Sequence, residues 1–108
     1  MAGIGRQDRM ISGWFDAKEA EAFGNMLAEF YDEKFRETEK AADYKQLGKQ
    51  QKLVAQVLLK AQQFKATHKL NPYKKAKLGN AFKWKLRDLG HHVELVDQMA
   101  KDLMLALR

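Results

Sequence analysis

FKWKLRDLGHHVELVDQMAKDLMLALR, residues 82–108, decides how many helices the chain has. Its apolar residues fall at Phe82, Leu86, Leu89, Val93, Val96, Ala100, Leu103 and Leu107, in alternating steps of four and three. That is the heptad rhythm of a single helical seam, and it runs through Gly90 without a slip. Two outcomes fit it: Gly90 ends one helix as a left-handed cap and a fourth helix follows, or one helix continues, bent at Gly90. Gly90-His91-His92 offers no Ser, Thr, Asp or Asn to cap a new helix, and a mid-helix glycine costs only about 1 kcal/mol relative to alanine. The expectation is therefore one long helix, which over residues 72–107 would reach about 54 Å and outrun its neighbours.

Beyond Gly90 the apolar sector widens to include Leu95, Met99 and Ala106. So much apolar surface on an overhanging helix end predicts association through Leu95, Met99, Leu103 and Leu107, in a homo-oligomer or with a partner protein. Should the chain fold back at Gly90, the same surface closes an ordinary bundle and needs no partner.

The rest of the chain is helical in character too. It has one proline, and Ala, Leu, Lys, Glu, Gln and Met dominate, all good helix formers. Asp16 and Glu19 have capping-box spacing, with Phe15 placed to staple against Ala20, so a first helix is expected from about Ala17. Its stripe is Ala20, Phe23, Leu27, Phe30, Tyr31 and Phe35. Asp43 with Gln46 marks a second start, and a helix from Tyr44 to Thr67 would bury Leu47, Val54, Val57, Leu58, Ala61 and Phe64. Asn71-Pro72 opens the third, since Asn caps helices and Pro suits the first helical position. The fold class is all-α: an antiparallel helical bundle of three long helices, the last bent or split at Gly90 into a fourth. Residues 1–15 form an N-terminal arm and residues 16–108 a single domain, a size that supports its own core.

Charge is distributed unevenly along the chain, although the net value is only +6. Residues 1–43 hold ten acids and six bases, residues 44–87 twelve bases and no acid, and residues 88–108 four acids and two bases. An acid-free run of that length suits an anionic partner. Lys45, Lys49, Lys52, Lys60, Lys74 and Lys85 are the candidate phosphate contacts of an alternative, nucleic-acid-binding reading. Within the same segment Tyr73, Lys77, Asn80, Trp84 and Arg87 recur at helical spacing, opposite Phe82, Leu86 and Leu89. Rings interleaved with cations and an amide provide large contact area at small entropic cost, and these five are the candidate partner-binding residues. The competing explanation is a helix sandwiched between two layers, with both rings covered.

Other chemistry has little to stand on. The chain has no cysteine, which removes disulfides, thiolate metal sites and cysteine nucleophiles. Asp88, His92, His91 and Glu94 invite a metal reading, but a site needs three or four converging ligands and His68 is the one other histidine. No phosphate-binding glycine loop or nucleophile elbow occurs, Ser12 has no His and carboxylate in a recognisable order, and Glu29 and Glu33 lack the Glu-x-x-His companions of di-iron bundles. No catalytic residue, metal, cofactor or small-molecule substrate is expected. The opening MAGIGRQDRMISGWF breaks its apolar pieces with Arg6, Asp8 and Arg9, and no apolar run approaches the length of a membrane span. A cytoplasmic protein that does not enter membranes is expected. The functional expectation is a non-catalytic helical interaction or assembly module.

Overall fold

The structure, a computed structural model, describes residues 2–41 and 46–108, with side chains from residue 17 to 39 and from residue 48 onward. Four helices account for it: α1 (Ala2–Ala41), α2 (Gln46–Thr67), α3 (Pro72–Asp88) and α4 (Val93–Ala106). No helix among the described residues is long and apolar enough to cross a membrane.

The expected single rod is overturned at Gly90. There φ is +91°, a backbone state that costs glycine nothing and other residues about 1 kcal/mol or more. The Gly90 amide donates to the Arg87 carbonyl at 3.0 Å and the His91 amide to the Leu86 carbonyl at 3.1 Å. Those are the paired hydrogen bonds of a Schellman ending, and they satisfy carbonyls that the break would otherwise orphan. The missing cap is supplied by His92, whose ring Nδ1 accepts from the Glu94 amide at 3.3 Å. With the chain turned back, Met99, Leu103 and Leu107 are buried and Leu95 packs against the same core. These four residues, expected on an associating surface, form the fourth wall of the bundle. The heptad phase survives the turn because both arms of the α3–α4 hairpin face one core.

One helix start also differs from expectation. α1 begins at Ala2, well ahead of Ala17. Asp16 and Glu19 are one turn apart, which is capping-box spacing but equally the spacing of two neighbours on a continuous helix. Glu19 is engaged elsewhere: its Oε1 meets His68 Nε2 at 3.0 Å. The expected α2 start at Tyr44 falls outside the described residues, as does the Leu47 side chain. The α3 start is as expected, with Asn71 Oδ1 accepting from the Lys74 amide at 2.8 Å and Pro72 following.

α2 packs on α1 and α4, α3 packs on the same two, and α2 and α3 do not touch, so they occupy opposite corners of the bundle. The core is built from Ala20, Leu27, Ala28 and Tyr31 of α1, Leu53, Val57 and Ala61 of α2, Leu78, Phe82 and Leu86 of α3, Val96, Met99 and Leu103 of α4, and Leu107 just after it. Leu53, absent from the expected α2 stripe, is buried. The most extensive interface is α1 with α3, which run side by side in one direction: Gly24 meets Leu78, Glu29 pairs with Lys85 and Asp32 with His91. Gly24 makes this possible, because a methyl group there would strike the Leu78 backbone carbonyl.

Candidate functional site

The outer face of α3 is the one place where large aromatic rings stand together in solvent among the described residues. Tyr73 is 61% exposed and Trp84 55%. Neither is covered by a second layer, so the sandwiched arrangement is not what the chain adopts. Lys77 Nζ lies 5.6 Å from the Tyr73 ring centre. Arg87 Cζ lies 5.1 Å from the Trp84 ring and Lys83 Nζ 5.8 Å from it. Cations at such distances hold the rings by their quadrupoles, contributing about 0.5 to 1 kcal/mol each at exposed sites, and limit the freedom lost on binding. Asn80 is exposed between the two rings.

Helical spacing alone brought Tyr73, Lys77, Asn80 and Trp84 to one place, and all four line a shallow cleft of about 370 Å³ facing α1. Glu21 and Asn25 of α1 form its far wall, with Lys85 and Asp88 at one end. Arg87 sits just outside, its guanidinium over the Trp84 ring. On the other flank of α3, toward α4, lies a larger and mostly apolar groove of about 980 Å³. Ala76 and Asn80 border both. This groove was not legible in the sequence, because it exists only once α4 folds back beside α3.

The candidate phosphate contacts are dispersed. Lys45 lies outside the described residues. Lys49 and Lys52 are on α2 and Lys74 and Lys85 on α3, at opposite corners of the bundle. Lys60 Nζ is 4.7 Å from the Phe30 ring centre, Lys74 Nζ donates to the Lys69 carbonyl at 3.3 Å, and Lys85 Nζ is 3.5 Å from Glu29 Oε1. The acid-free segment is continuous in sequence, but it is divided between two helices at opposite corners of the bundle.

Each histidine makes a contact within the chain. His68 lies against Phe64 with ring centres 3.9 Å apart, and Phe64 stacks in turn on Phe23 at 4.0 Å. His91, with a side chain only 6% exposed, places Nε2 2.8 Å from Asp32 Oδ1 and packs edge-on against Tyr31 and Phe35. Sequence reasoning missed this pair, since Asp32 and His91 meet only through the α1–α3 interface. Partial burial works to raise the Asp32 carboxyl, but hydrogen bonds and charge from Arg36 and His91 outweigh it and hold the group below the usual carboxylate range. A carboxyl lowered by folding stabilises the protein above its unfolded value, and that contribution is lost as pH falls through the folded value. Asp32→Asn is thus expected to cost about 1 to 2 kcal/mol near neutral pH and to flatten the decline of the thermal midpoint between neutral and strongly acid pH. Calorimetry across that range checks it, and an acid slope identical in the two proteins would refute it.

Compared with known protein families, curated proteins and solved structures, the chain gives no match.

Proposed function

We propose that the chain is a non-catalytic helical module that docks a partner protein through the outer face of α3. The observation carrying this reading is the pair of exposed rings, Tyr73 and Trp84, braced by Lys77, Lys83 and Arg87 on a helix whose other side is locked into the core. Trp, Tyr and Arg dominate the energetics of protein interfaces, and rings already held in place lose little entropy when they are covered. Leaving them wet forgoes much apolar burial, at about 25 cal/mol per Å². The residues that would have supported self-association through α4 lie inside the chain, so the support rests on α3. No catalytic step belongs to this reading: each histidine is taken up in a cap or a structural pair.

The test is a double variant, Trp84→Ala with Arg87→Ala, compared with the unaltered chain in affinity capture followed by binding measurements on purified partner. Both side chains are exposed, so circular dichroism should be unchanged. Binding is expected to weaken by about 2 kcal/mol or more, roughly thirtyfold. A partner held equally by both proteins would refute the proposal. So would tight binding of labelled RNA or DNA that falls steeply with salt and ignores both substitutions, because phosphate contacts leave that signature.

A further inference from the structure

We propose that the groove between α3 and α4 receives an acidic amphipathic helix of the partner; this rests on the reading above and adds the chemistry of what is bound. The floor is small and apolar: Ala76 and Gly79 from α3, Ala100 and Met104 from α4, with Leu105 59% exposed at its side. Gly79 leaves room for it, since a methyl group there would come within 2.7 Å of Met104 Sδ and displace that side chain. From Pro72 to Lys83 the channel runs about 17 Å along α3, three turns of a docked helix.

The rim decides the occupant's charge. Lys75, Lys83, Lys101 and Arg108 border the groove, against one carboxylate, Asp97. Asp97 is spent on Lys83, 3.6 Å away, and Lys75, Lys101 and Arg108 form no ion pair among the described residues. An apolar trough with three unpaired cations on its edge complements a rod with an apolar stripe flanked by Asp or Glu. A nucleic acid would satisfy the cations but leave the apolar floor unmatched. A bilayer is flat, whereas this surface is concave.

The probe is a labelled synthetic helix of about four turns, with leucines at i, i+3, i+4 and i+7 and glutamate elsewhere. Its counterpart carries lysine for glutamate. Anisotropy titrations should show saturable binding of the acidic peptide, weakening as salt rises from about 50 to about 300 mM. The basic peptide should bind at least about tenfold more weakly. Lys75→Glu with Lys101→Glu, and separately Leu105→Glu, should each weaken the acidic peptide at least about tenfold. All three side chains lie on the surface, and circular dichroism verifies that the variants fold. Trp84→Ala should leave peptide binding unchanged, which separates the groove from the aromatic face. Loss of binding in Trp84→Ala but not in the groove variants would overturn the groove while leaving the α3 face standing. No binding of the acidic peptide, equal binding of the basic one, or a preference for phosphatidylserine vesicles over both would overturn it too.

Discussion

Valine in place of Gly24 is expected to destabilise the fold by about 3 kcal/mol or more, a large share of the 5 to 15 kcal/mol that holds a domain of this size together. Even the first carbon of a side chain at this position would collide with the Leu78 carbonyl and lie 3.0 Å from the Ala81 Cβ. The carbonyl belongs to the α3 backbone and cannot rotate aside. Relief would require α1 and α3 to separate, loosening Ala20, Leu27 and Ala28 from Leu78 and Phe82. Gly79→Ala is the informative contrast: its new methyl meets the end of the flexible Met104 side chain, which can swing away. Gly48→Ala meets nothing within 4 Å, and should gain up to about 1 kcal/mol of helix propensity. Urea titrations rank the three, and a Gly24 variant as stable as the unaltered chain would show that α1 and α3 are not in close contact.

Leu103→Lys tests the turn at Gly90. Leu103 has no exposed surface and sits in the common core. An ammonium group there has no partner and loses its hydration, and the leucine packing is lost as well, so a cost of about 4 kcal/mol or more is expected, near or beyond what the fold tolerates. On a projecting rod the same substitution would leave the helices intact and only dissolve an association. The two arrangements therefore predict different results from one protein: loss of cooperative unfolding here, or a folded monomer with unchanged stability. Leu105→Lys, two residues on and 59% exposed, should shift stability by no more than about 0.5 kcal/mol.

How far the sequence could be read depended on the kind of signal. Asn71-Pro72 announced its helix because the cap and the fixed φ are local properties, independent of packing. The aromatic face of α3 was legible for a similar reason: once Phe82, Leu86 and Leu89 define the inside, the angle per residue fixes where Tyr73 and Trp84 stand. Gly90 was ambiguous because a Schellman glycine and a tolerated mid-helix glycine look alike in a sequence, and histidine is not among the usual N-caps. The seam that runs through it marks residues facing a core without saying whether they reach it in one rod or two. Gly24, the Asp32–His91 pair and the α3–α4 groove were illegible, as each depends on which helices become neighbours. The same holds for the lysines, contiguous along the chain and parted by the diagonal placement of α2 and α3.

The pairing of α1 with α3 bears on how the protein is made. Gly24 leaves the ribosome long before Leu78, the residue it rests against. At about 5 to 20 residues per second, the intervening stretch takes about 3 to 11 seconds to synthesise. For that interval the nascent first helix is without its principal neighbour, and only the adjacent α2 can shelter part of the stripe. Slow elongation through this window lengthens the time in which a chaperone, or another newborn chain, competes for the bare surface.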